Sequence, residues 1–304
     1  MTNAGQPSSP APGGRKPSVT GPLVPRQKLA HELRRLREEA NLTLDQVASA
    51  LEDMSPSKLS RLENAQGSPR ARDVRDLAQL YGIAGTELAD RLLRWVRTAR
   101  RQGWWNDYSQ EIWPGLDAHL AYESDATIAR VYTIPILPVL LQTPDYSRAY
   151  YKSREPWRSE AALGQLLEIR ARRQEALRFR EGQPRLELVA VTHESSLLQQ
   201  VGSAQTMHAQ LDALIEFSTA PNIQLYILPF SAQPVFTCTC SYAYFEYGEE
   251  IDQDIVHIET HAGFRHLEKP DEVKRYRRYY DDLVAASLTM EKSRSRIREV
   301  RDEL

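Results

Sequence analysis

The sequence predicts an α+β protein: an N-terminal domain of five short helices, then a larger α/β domain with a small mixed sheet and closing helices. Three observations predict it. Between Gln27 and Arg101, apolar residues recur at helical spacing in five runs separated by turn signals. Between Arg185 and Thr260, four stretches rich in Val, Ile, Tyr and Thr have strand character, with one helical run crossing between the first two. Charge divides along the chain as well: residues 1–101 hold 17 Lys+Arg and 11 Asp+Glu, whereas residues 102–304 hold 22 and 30. A basic module joined to an acidic one implies that only the first meets a polyanion.

The chain has 304 residues, 41% of them hydrophobic, enough for two domains with real cores. It has no apolar run near 18 residues and no apolar segment in its opening MTNAGQPSSPAPGG, so a membrane span and a signal peptide are not expected. A cytoplasmic, nucleoid-associated protein is the expectation. Its two cysteines, Cys238 and Cys240, are too few for a disulfide scaffold or a four-thiolate zinc site.

Residues 1–22, nearly all Pro, Gly, Ser, Ala, Thr and Asn, lack a periodic apolar face and read as a disordered tail. A domain over 23–101 follows. Leu29, Leu33 and Leu36 line a first helix ending near Ala40-Asn41. Thr43-Leu-Asp-Gln46 is a capping box for a second, whose inner face is Leu44, Val47, Ala48 and Leu51. Ser55 as N-cap with Pro56 behind it starts a third, ending about Asn64. Ser68-Pro69 opens a fourth and Thr86 a fifth, which runs to about Arg101.

The second domain, 102–304, begins with Trp104-Trp105 and Trp113-Pro114 and a helix-like stretch over Asp117–Arg130. The prolines of Ile134–Pro138 force extended backbone. Helices are expected at Pro144–Lys152, Ser159–Glu181, Ser203–Ser218, Pro270–Ser287 and Thr289–Arg301, and strands at Arg185–Thr192, Asn222–Leu228, Thr237–Tyr247 and Asp254–Thr260.

Residues 42–64, LTLDQVASALEDMSPSKLSRLEN, carry the functional signal. Two short helices joined by a turn, the second opened by Ser-Pro, meet the requirements of a helix-turn-helix reader of duplex DNA. On a wheel of about 100° per residue, Arg61 and Asn64 fall within about 40° of Ser57, while Leu59 and Leu62 fall about 200° and 140° away. The leucines can dock on the preceding helix and leave a hydrogen-bonding face outward. Pro56, Ser57 and Arg61 are the expected base readers, Arg61 because its guanidinium fork matches guanine O6 and N7. Thr43, Lys58, Ser60, Asn64, Ser68, Arg70 and Arg72 are expected at the DNA backbone, where they position without specifying.

Residues 27–101 resemble helix-turn-helix domains of the Cro/phage-repressor (XRE-like) class, and LTLDQVA…SPSKLSRLEN is close to its actinomycete branch. The rest resembles the uncharacterised C-terminal domain fused to that branch, through Trp104-Trp-Asn-Asp-Tyr108, Leu137–Tyr146 (LPVLLQTPDY), Arg170–Leu177 (RARRQEAL), Pro221-Asn-Ile, Leu228-Pro-Phe230 and Glu268–Val273. This resemblance implies a homodimeric transcriptional regulator working with a small acidic partner protein encoded nearby, in an antitoxin-like, developmental or antibiotic-regulatory role. One departure stands out. The turn Leu51-Glu-Asp-Met-Ser55 lacks the glycine common in that family, runs one residue longer, and sets Glu52 and Asp53 near the groove.

Other chemistry is weak. His257, Glu259 and His261 share a strand face without a fourth ligand, so no metal is expected. Ser195-Ser196 beside His193 lacks a nucleophile elbow, and phosphate-cradling glycine loops are absent. Neither catalysis nor a cofactor is expected. Trp104, Trp105, Tyr108, Trp113 and Tyr146, near the domain junction, admit two readings: packing, or a pocket for a small-molecule effector or protein partner.

Overall fold

The computed structural model describes residues 23–66, 69–99, 103–108, 115–232, 240–248, 254–260 and 263–304. The expected tail, Ser68, Trp113, Cys238 and His261 lie outside them.

Five helices build the N-terminal domain: α1 (Leu23–Glu39), α2 (Leu44–Ala50), α3 (Pro56–Glu63), α4 (Ala71–Leu80) and α5 (Glu87–Ala99). One core collects Leu29, Leu33 and Leu36 of α1, Val47 of α2, Met54, Leu59 of α3, Val74 and Leu77 of α4, and Leu92 and Val96 of α5. The fourth helix departs from expectation in its start: Arg70 occupies its N-cap position with no side-chain cap, and the helix begins at Ala71.

A single 3-10 turn at Trp104–Tyr108 leads to the second domain. Its elements are α6 (Leu116–Asp125), β1 (Ile128–Thr133), α7 (Pro144–Arg154), α8 (Glu160–Glu175), β2 (Glu187–His193), α9 (Ser195–Leu198), α10 (Ala204–Phe217), β3 (Ile223–Leu228), β4 (Tyr242–Glu246), β5 (Ile255–Thr260), β6 (Gly263–Leu267), α11 (Pro270–Ala286) and α12 (Met290–Asp302). The strands form one mixed sheet, ordered β3-β2-β1-β4-β5-β6. Its first three strands are parallel, and β4, β5 and β6 each run antiparallel to their neighbours.

Both faces of the sheet are covered. Leu188, Ala190, Leu225, Ala243 and Phe245 meet Met207, Leu211 and Leu214 of α10 and Ile297 and Val300 of α12. Their strand neighbours Val189, Val191, Tyr242, Tyr244 and Val256 meet Val273, Tyr280 and Leu283 of α11. The Tyr280 hydroxyl donates to the Val189 carbonyl at 2.6 Å. Alternate residues are thus buried on opposite faces, as a fully covered strand requires.

Two strands depart from the sequence reading. The stretch expected to stay helical to Arg130 ends at Asp125, and Ile128–Thr133 becomes a central strand. No Gly or Pro separates the two, and Ala129 and Arg130 favour a helix locally. Pairing with β2 on one side and β4 on the other overrides that preference. Strand β6 was also not expected, because five residues carry too little periodicity to stand out.

The domains touch through α1. Gln27 Nε2 donates to the Tyr122 hydroxyl at 2.8 Å and to Glu268 Oε1 at 2.7 Å, and Tyr122 donates to the same carboxylate at 2.8 Å.

Candidate nucleic-acid interface

Helix α2 begins with the reciprocal cap its sequence encodes: Thr43 Oγ1 accepts from the Gln46 amide, and the Gln46 side chain accepts from the Thr43 amide. Helix α3 begins where Ser55 Oγ accepts from the Lys58 amide at 3.2 Å, with Pro56 in the first turn. These caps satisfy donors that a helix start leaves open, so both ends are placed by local chemistry.

Between them the turn needs no glycine. Leu51 and Ser55 are extended, and none of Glu52, Asp53 and Met54 has a positive φ. Met54 is buried in the core and anchors the longer turn, a role that the sequence reading missed.

Leu59 is fully buried, whereas Pro56, Ser57, Arg61 and Asn64 are exposed and Ser60 is half-buried. The outward row is therefore the one the helical wheel separates. Among the described residues the Arg61 side chain has no ion pair or hydrogen bond. Asn64 Nδ2 donates back to the Ser60 carbonyl at 2.7 Å, and Ser57 Oγ lies 3.4 Å from Ser55 Oγ.

The cations differ in how free they are. Arg70 is exposed at the start of α4. Lys58 is tied down: Nζ donates to Asp73 Oδ1 at 2.7 Å and to the Asp53 carbonyl at 3.0 Å. Asp73 is buried, so this ammonium neutralises an interior carboxylate and ties α3 to α4 and to the turn. A phosphate contact would have to compete with that pair. Arg72 pairs with Asp53 at 2.7 Å, but both are well exposed, which makes that contact weak and exchangeable.

Sequence reasoning also missed the clamp that holds α3. Arg37 at the end of α1 donates Nε and a terminal nitrogen to the two oxygens of buried Glu63, at 2.7 and 2.9 Å, and reaches the Leu42 carbonyl at 2.9 Å. The bidentate geometry fixes α3 against α1.

The aromatic residues do not assemble as one site. Trp105 and Tyr108 are buried with Leu116, Leu120, Ala121, Leu166 and Ile169, and Trp104 packs partly against them. A methyl added at Gly103 would lie 2.2 Å from the Trp105 ring, so the indole needs that glycine. Tyr146 lies in the separate core beside the sheet. Among the described residues no group of three or more His, Cys, Asp or Glu is arranged to hold a metal, and no helix is long and apolar enough to cross a membrane.

Capped α2, a short turn and capped α3 with its polar row outward together define a helix-turn-helix domain, the class that places its second helix in the DNA major groove. Residues 28–101 match the family model of a helix-turn-helix domain. Residues 116–299, more than half of the chain, match a domain of unknown function, DUF5753, and the chain belongs to that family. Comparison with curated proteins and with solved structures gives no match.

Proposed function

We propose that the protein is a sequence-specific DNA-binding transcriptional regulator that acts as a homodimer and receives its control through the C-terminal domain. The observation that carries this reading is the exposed Ser57–Arg61–Asn64 row on a helix whose opposite face is held by Leu59 and by the Arg37–Glu63 clamp. In this reading Arg61, Ser57 and Pro56 meet base edges. Thr43, Ser60, Asn64, Arg70 and Arg72 meet phosphates, with Ser68 as a further candidate, and Lys58 serves first as an internal brace. Two protomers would read half-sites about one helical turn, or a multiple of it, apart.

The partner side of the proposal is a small acidic protein in an antitoxin-like or developmental role. Exposed Lys274, Arg275 and Arg278 on α11 offer it a cationic face within an otherwise acidic domain. A small-molecule effector at the junction aromatics is less favoured, because Trp105, Tyr108 and Tyr146 are spent on packing. We assign no catalytic role and no cofactor.

Selection of bound duplexes from a random pool, followed by footprinting, tests the reading. An enriched two-fold site protected by wild type but not by Arg61→Ala supports it. Failure to bind any duplex at low ionic strength overturns it.

A further inference from the structure

Behind the domain contact lies a cluster of three buried or half-buried imidazoles: His119 on α6, His257 on β5 and His266 on β6. The His119 and His257 rings are 4.1 Å apart, and His257 Nδ1 lies 2.9 Å from His266 Nε2. An N–H···N bond of this kind needs one unprotonated acceptor, so the pair cannot hold two imidazolium ions without losing it. His119 Nε2 lies 2.9 Å from a terminal nitrogen of Arg173. A guanidinium only donates, so where this contact is a hydrogen bond the nitrogen accepts and the ring is neutral with its proton on Nδ1. That Nδ1 is buried and has no partner.

The surroundings are closed to a further cation. From α8, Arg173 pairs in bidentate fashion with Glu123 of α6 at 2.8 Å, and Glu123 Oε2 also lies 3.5 Å from His119 Nε2, an upward pull on that imidazole which burial outweighs. Phe245 of β4 and Phe264 of β6 pack on the rings, and the half-buried Tyr151 of α7 faces Arg173. Glu259 of β5 and Asp117 of α6 add only weaker pulls. On the junction side, the His266 ring sits 5.0 Å from the Tyr122 ring, whose hydroxyl joins Glu268 and Gln27 of α1. The same α1 grips Glu63 of α3 through Arg37 at its far end.

We propose that the His119–His257–His266 cluster is an acid-responsive coupling between the domains, in which protonation parts β6 from α6 and releases α1 from Tyr122 and Glu268. The output, a change in how α3 is presented, rests on the DNA-binding reading above, whereas the opening itself does not. Burial holds all three imidazoles below their ordinary value, His266 down to about 4. An opened cluster returns toward about 6.5, so the open form binds more protons between about pH 4 and 6.5. The closed contact is therefore complete above that window and is lost as pH falls through it. For His266 alone, acidification to pH 5.5 weakens closure roughly 10-fold.

Hydrogen–deuterium exchange of the full chain at pH 7.5 and 5.5, corrected for the intrinsic pH dependence of exchange, tests this. The expected result is a loss of protection of about 10-fold or more in the first turns of α1, in α6 and in β6, with α4 and α12 unchanged. His266→Gln should reduce the response by up to that ring's share of roughly 10-fold, leaving the part that His119 and His257 carry. Equal loss throughout the chain, or none, overturns the proposal. Should the variant not fold, imidazole carbon NMR of the unmodified chain decides: three rings neutral at pH 6 support the coupling, and ordinary titration near 6.5 overturns it. Duplex binding at pH 7.5 without an acid response sinks the coupling alone. An acid response without any duplex binding sinks the DNA reading alone.

Discussion

Arg61 and Glu63 are two residues apart on α3 and have opposite fates. Arg61 points outward without a partner among the described residues, so Arg61→Ala is expected to leave the melting temperature unchanged and relax preference at one base position by about 1–3 kcal/mol. Competition binding against single-base operator variants checks this. Glu63 is buried against Arg37, so Glu63→Ala strands a guanidinium that is itself mostly buried and should cost about 3 kcal/mol or more. Chemical denaturation would show it, and a double change to apolar residues should recover much of the loss. The wheel made Arg61 legible because exposure on a helix follows from local periodicity. Nothing local distinguished Glu63 from any charged residue near a helix end, since its partner lies 26 positions away on α1. The Lys58 pairing was illegible for the same reason: its carboxylate, Asp73, comes from the next helix.

At the scale of elements, α3 is closed at both ends by different means. Its start has the Ser55 cap, but beyond Asn64 the chain turns at Ala65 with φ 54°, a left-handed conformation that disfavours a Cβ. Ala65→Gly should therefore stabilise the domain by about 1 kcal/mol, read as a rise in its melting temperature, with DNA preference unaltered. A fall in stability would show that the Ala65 methyl is needed for packing. The cations around α3 separate by the same logic. Arg70→Ala should weaken all duplexes alike and flatten the salt dependence by about one unit, whereas Lys58→Ala should lower stability through unpaired Asp73. Titrations at several salt concentrations, paired with denaturation, resolve the two. Capped helices such as α2, α7, α10 and α12 were readable because Thr43, Thr143, Ser203 and Thr289 satisfy their own helix starts. Strand β1 was not, because what makes Ile128–Thr133 a strand is its pair of neighbours, contributed from residues 187–192 and 242–246.

For the whole molecule, the division of charge and the helix-turn-helix match agree in assigning polyanion recognition to the first domain. The proposed dimer carries its own test: sedimentation at micromolar concentration should give about twice the 34.7 kDa chain mass. A monomer that occupies single half-sites would refute that arrangement. The sequence by itself determined where the side-chain-capped helices begin, which face of α3 turns outward and that an all-helical module precedes a mixed sheet. These depend on caps, turns and periodicity within a few residues. Only the tertiary structure decided that Lys58 pairs with Asp73, that Arg37 clamps α3, that β1 sits mid-sheet and that three histidines from separate elements meet behind the domain contact. Each of those is a pairing between groups distant in the chain, and a local pattern cannot specify a partner that only folding brings near.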